Sequence, residues 1–205
     1  MIRTVSDIKM QKALIIKNLC DLLLNEKKNE CIDFASSHYP FANNSISKRQ
    51  YSRYEMCKVF LRDGFIRDGF IDRYSGDKLI FPGIIKLLTL EFPDIFKYHR
   101  NWKMTETHTV YWELFPTIDH LIPIARGGQD LESNWVTTSM IRNSAKSNWT
   151  LEELNWKLHD SGQLNEWNGL INCFLDLSDK NSLYEKDSYI SAWKVALLRA
   201  KEDRQ

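Results

Sequence analysis

Between residues 112 and 149 the chain reads as strand, glycine turn, strand and helix, and that succession leaves few ways to fold. Residues 112–124 alternate loosely and are rich in apolar and aromatic side chains, which suits a strand. Arg126-Gly127-Gly128-Gln129 supplies a turn, and Trp135-Val136-Thr137-Thr138 is a second β-prone run. Ser139 is a suitable N-cap for a helix holding Arg142, Asn143 and Lys146. A hairpin folded onto that helix would set the Asp119-His120 pair opposite Asn143.

A carboxylate, an imidazole and a carboxamide brought together can hold one divalent metal beside one general base. That is a minimal kit for hydrolysing a phosphodiester. His120 is the natural base, because an imidazole exchanges protons near neutral pH. Asp119 offers a hard anionic oxygen and Asn143 a neutral one, so Mg²⁺ or Mn²⁺ is the favoured cofactor. Two protein ligands leave coordination positions for water and phosphate oxygens. Arg126, Arg142 and Lys146 are candidate phosphate contacts, and ordinary surface charge explains them equally well.

The run Pro116-Thr-Ile-Asp119-His120-Leu-Ile-Pro123, then Gly127-Gly128, then Ser133-Asn134-Trp135, then Arg142-Asn143-Ser-Ala-Lys146 resembles the HNH nuclease family over residues 112–149. The resemblance implies a ββα-metal core with His120 as catalytic base and Asp119 and Asn143 as metal ligands. It implies that Asn134 ties down the loop between the strands and supports catalysis from there. It also implies DNA as partner, products with a 5′ phosphate and a 3′ hydroxyl, and contact chiefly through phosphates and the minor groove. Family sites accept Zn²⁺ or Ni²⁺ as well. Similar proteins serve as restriction and phage-defence nucleases, homing-type nicking enzymes and toxins. The alternatives are a silent nucleic-acid-binding module on the same scaffold, or a nuclease acting on RNA or single strands.

One departure from the family pattern matters. Many HNH proteins carry a Cys-x-x-Cys-Gly knuckle before the first catalytic strand, and here Tyr74-Ser75-Gly76 keeps the turn without the ligands. Cys20, Cys31, Cys57 and Cys173 are scattered, so reduced thiols and no structural zinc are expected. The aromatic stretch 96–112 is expected to replace the zinc by burying large rings.

The rest of the chain reads as helical packing, giving an α+β protein that is mainly helical around the ββα unit. Helices are expected over 5–34, from the Ser47-Lys48-Arg49-Gln50 capping box through Phe60, after Pro82, from Thr150 through Leu158, over 164–177 and over 188–201. Residues 62–66 and 67–71 echo each other as Arg-Asp-Gly-Phe-Ile, too short for a solenoid unit and expected to form successive turns. Residues 1–62 hold 11 Lys and Arg against 6 Asp and Glu on a chain of net charge +1. That basic region, with Lys48, Arg49 and Arg53 at a helix start, is a candidate DNA contact. The expected organisation is therefore a helical region 1–62, a nuclease domain 63–160 and packing helices 161–205. No apolar run can span a bilayer and the N-terminus lacks a signal-peptide pattern, so a cytoplasmic protein is expected. A homodimer is expected if both DNA strands are cut in concert, since one such unit holds one metal and one base.

Overall fold

The computed structural model of the chain describes residues 5–38, 53–180, 184 and 186–202. It is an α+β protein in which helices surround a two-stranded antiparallel sheet. In chain order the elements are α1 (Val5–Leu24), α2 (Lys28–His38), α3 (Arg53–Phe60), α4 (Pro82–Glu91), α5 (Val110–Glu113), β1 (Pro116–His120), β2 (Trp135–Ser139), α6 (Met140–Lys146), α7 (Leu151–Leu154), α8 (Ile171–Lys180) and α9 (Ser188–Glu202). Among the described residues no helix is long and apolar enough to cross a membrane.

Several expectations change at element ends. The single helix over 5–34 is two, because Glu26 takes a left-handed φ of 58° and the Asn25 amide donates to the carbonyl of Asp21 at 2.7 Å. Ser47, Lys48 and Arg49 lie outside the described residues, so their capping box and their part as DNA contacts stand as sequence expectations; Arg53 opens α3. The strand expected over 112–124 is shorter. Helical turn α5 occupies 110–113, and β1 begins only at Pro116. The helical turn sets Tyr111 and Phe115 four apart on one side, where their rings stack 6.1 Å apart. Thr150 does form both halves of its capping box, yet α7 stops after Leu154 because Asn155 adopts the left-handed conformation. The helix expected over 164–177 starts at Ile171, after Gly169 and Leu170 both take positive φ.

One hydrophobic cluster joins Cys57 and Leu61 to Phe65, Phe70, Phe81, Phe174, Ile190, Trp193 and Leu197. It draws on all three sequence regions, crossing both boundaries expected near 62 and 160. Each fully buried large side chain contributes on the order of 1.5–3 kcal/mol, so the C-terminal helices belong to the same cooperative core as α3 and α4. The Arg-Asp-Gly-Phe-Ile echo is also resolved. Its first copy lies in a π-helical turn, Leu61–Ile66, and its second runs into the turn closed by the Ile71–Lys78 bridge.

That second copy positions the sheet. Asp68, fully buried, accepts from the Arg67 guanidinium at 3.0 and 2.9 Å, from Arg73 at 3.0 Å and from the backbone N–H of Thr137 at 2.8 Å. Asp72, also buried, accepts from the Ser139 N–H at 2.8 Å and the Thr138 hydroxyl at 2.9 Å. Arg67 donates to the carbonyl of Trp135 at 2.7 Å, and the Arg73 N–H to that of Thr137 at 2.9 Å. The outer edge of β2 is thus completed by side chains and one backbone N–H instead of a third strand. The segment where a zinc knuckle was missing is held by buried carboxylates and arginines, whereas burial of the large rings in 96–112 was expected to replace the zinc. Those rings instead form a separate cluster around Val110 and Tyr111.

Candidate active site

β1 pairs with β2 from Pro116–Ser139 to His120–Trp135, and Ser139 caps α6 by accepting from the Arg142 N–H at 3.4 Å. This register carries Asp119 and His120 to the end of the hairpin, and α6, following β2 directly, brings Asn143 to the same place. Asp119, His120 and Asn143 together line one cleft of about 390 Å³, with Pro123, Ile124, Ala125, Ser147 and Asn148 around them.

His120 is tethered by a residue that the sequence analysis missed. Its Nε2 lies 2.9 Å from Asp130 Oδ1, and the Trp135 indole N–H lies 3.0 Å from the same oxygen and 3.1 Å from Nε2. With Nε2 protonated, both N–H groups donate to Asp130, and Nδ1 keeps the lone pair a general base needs. Asp130 follows the glycine turn by two residues, in a loop that gave no periodic signal.

Asp119 is equally well held. Its Oδ2 accepts the Tyr74 hydroxyl at 2.7 Å and lies 2.9 Å from the Lys146 ammonium. Burial, then the charge of Asp119 and the bond to it, push the Tyr74 phenol well above its ordinary range, so it remains a donor. Lys146 is fully buried and also donates to the backbone carbonyl of His120 at 2.7 Å. The expectation that Lys146 touches phosphate is therefore corrected: an ammonium sealed between β1 and Tyr74 has no path to a DNA backbone. Its helical spacing from Asn143 was right, but it points inward.

Asn143 donates weakly from Nδ2 to the carbonyl of Ile118 at 3.3 Å, which leaves its amide oxygen available. Asn134 accepts from the N–H of Ile122 at 2.9 Å and donates to the carbonyls of Ile122 and Gln129, both at 2.9 Å. These three bonds close the loop that links the strands. Gly128 lies beneath it: a Cβ there would stand 1.8 Å from the carbonyl oxygen of Ile122.

Arg126 pairs with Glu153 at 3.3 Å and sits 5.9 Å from the Trp149 ring centre. Arg142 is exposed on α6, with its guanidinium 5.6 Å from the Trp156 ring centre. Both remain near the cleft's elements and accessible to solvent. The other histidines serve local structure: His99 and His108 accept backbone N–H groups of Asn101 and Val110, and His38 stacks on Phe34.

A hard divalent cation fits this donor set. Asp119 Oδ1 and the Asn143 amide oxygen are two uncommitted oxygens on one cleft, with the second Asp119 oxygen already satisfied by Tyr74 and Lys146. Among the described residues no three His, Cys, Asp or Glu side chains gather as a metal cluster, so affinity would rest on these two oxygens and on substrate. No protein-family profile matches the chain, and neither curated proteins nor solved structures give a match.

Proposed function

We propose that the chain is a metal-dependent endonuclease of the HNH type that hydrolyses DNA phosphodiester bonds. The supporting observation is the convergence of Asp119, His120 and Asn143 on one cleft, with His120 anchored through Nε2 by Asp130. The order of hairpin and helix agrees with the ββα-metal unit to which the sequence motif is similar.

In this mechanism the His120 Nδ1 lone pair takes a proton from the attacking water, and the Asp130 carboxylate stabilises the imidazolium that results. Asp119 and Asn143 would hold one divalent ion, Mg²⁺ or Mn²⁺ by donor hardness. When bound, that ion supplies positive charge for the non-bridging phosphate oxygens and the leaving 3′ oxygen. Tyr74 and Lys146 fix the Asp119 carboxylate through Oδ2 and leave Oδ1 uncommitted. Exposed Arg142 meets a flanking phosphate. Asn134 acts at one remove, keeping the loop that carries Asp130 against β1.

One observation favours a second function, a nucleic-acid-binding module without catalysis: the Lys146 ammonium already partly neutralises Asp119. Cleavage of supercoiled plasmid by metal-stripped protein, with Mg²⁺, Mn²⁺ or EDTA, decides between them. Metal-dependent nicking lost in both His120→Ala and Asn143→Ala supports the nuclease. Duplex binding by EMSA without cutting under any metal would establish the binding module. Parallel single-stranded DNA and RNA substrates identify the nucleic acid cut.

A further inference from the structure

A second cavity, of about 480 Å³, lies away from the cleft between α3, α4, the 98–102 loop, α5 and the start of α9. Its walls are aromatic. Trp102 stands edge-on to Tyr98, Tyr111 and Phe115 with ring centres 6.2, 5.5 and 5.1 Å away, and Tyr189 also lines the cavity. Trp102 holds this place with a left-handed φ of 52°, a conformation a bulky residue adopts only at a cost in strain. Tyr98 packs on Tyr111 with ring centres 4.9 Å apart yet remains 41% exposed.

The charges at the mouth narrow the ligand. Lys86 and Arg100 both line the cavity, and the carboxylate there, Asp187, accepts from two backbone N–H groups of α9 and lies 3.6 Å from Lys86. Arg100 is exposed and has no ion-pair partner among the described residues. An aromatic box would ordinarily suit a cationic ligand. Here Lys86, paired with Asp187, already lies 5.9 Å from the Tyr98 ring centre, and Arg100 adds a second positive charge, so the mouth favours a planar ring bearing negative charge. The size falls within the range of small-molecule sites.

We propose that this cavity binds a nucleotide: the base stacks among Tyr98, Trp102 and Tyr189, and the phosphate is met by Arg100 and Lys86. Phe115 borders the cavity and directly precedes β1, whereas His120 ends it, so the two sites stand roughly 16 Å apart along the strand. The cavity therefore does not depend on the hydrolytic function proposed for the cleft. The nucleotide is either free or an unstacked unit of a nucleic-acid strand, since the same ring and phosphate chemistry serves both.

The test uses full-length His120→Ala protein, so hydrolysis cannot interfere, with adenosine 5′-monophosphate and a fluorescein-labelled twelve-residue single-stranded DNA as probes. Tryptophan quenching reports the first and anisotropy the second. Tyr98→Ala and Arg100→Ala, both at exposed positions, should keep the far-UV circular dichroism of the parent. Each is expected to weaken binding roughly tenfold. Weakening of both probes assigns the site to the nucleotide unit in either form. Weakening of the monophosphate alone assigns it to a free nucleotide, and of the DNA alone to a base within a strand. Absence of binding by either probe at millimolar concentration, or affinities unchanged in both variants, overturns the proposal and leaves the cleft's function untouched.

Discussion

Replacing Asp68 by Asn keeps the side chain's shape and removes its charge. The carboxylate is fully buried and takes four charge-assisted contacts within 3.0 Å or less from Arg67, Arg73 and the Thr137 N–H. An Asn amide can still accept from Thr137, but its NH₂ then faces guanidinium donors. Breaking a buried pair from one side costs about 3–5 kcal/mol. The Arg67 side chain is 36% exposed and can rehydrate, so about 2–4 kcal/mol is expected at neutral pH. In urea denaturation with a slope of about 2 kcal/mol/M, the midpoint should fall by about 1–2 M with the slope unchanged. Burial alone would raise the Asp68 carboxyl, but the Arg67 bond, the Thr137 N–H and the charges of Arg67 and Arg73 outweigh it and hold the carboxyl below its usual range. A depressed native value means the stabilisation is complete above the unfolded value, about 3.9, and is lost as pH falls through the native one. The gap between wild type and Asp68→Asn should therefore be constant above about pH 5 and close progressively below about pH 4. A gap under about 1 kcal/mol at pH 7, or one that does not narrow on acidification, would refute the role assigned to this carboxylate.

Other outcomes test the site and its frame. Asp130→Asn, which removes the anchor of His120, should lower the cleavage rate constant by roughly 10²-fold or more while leaving binding of uncleaved DNA intact; an unchanged rate rejects the dyad. Lys146→Met removes the ammonium beside Asp119, so Mn²⁺ affinity by titration calorimetry should rise even as stability falls by about 2–4 kcal/mol; equal affinity would show that the two do not compete. Gly128→Ala should cost more stability than Gly127→Ala, although only Gly127 has a left-handed φ, because the Gly128 methyl would meet the Ile122 carbonyl; thermal melts of the pair decide it. Thr150→Ala, which opens the capping box on Glu153, should cost about 1 kcal/mol by chemical denaturation.

The hairpin and its helix were legible because their signals are local. β-branched residues at 136–138, the Gly127-Gly128 turn and the Ser139 cap each act over a few residues, and each lies where the sequence placed it. The convergence of Asp119, His120 and Asn143 followed from that register. What escaped depends on partners far along the chain. Tyr74 reaches Asp119 across 45 positions and Asp68 reaches Thr137 across 69, so no window of sequence contains both ends of either bond. Lys146 was misplaced for a related reason: helical spacing gives a residue's azimuth but not which azimuth the neighbouring strand will cover. Helix ends were missed where a residue other than glycine takes positive φ, as at Glu26, Asn155 and Leu170.

The edge of β2 has a consequence of its own. A two-stranded sheet normally leaves backbone groups open to pairing with another molecule, and proteins guard against this with charge, bulges or cover. Here the guard is two carboxylates and the Arg67 guanidinium, bonded directly to Thr137, Ser139 and Trp135. Such a guard is removable by protons. Acid that neutralises Asp68 would free the Thr137 N–H on that edge for strand addition, so a fall in solubility at low pH would report on this one carboxylate.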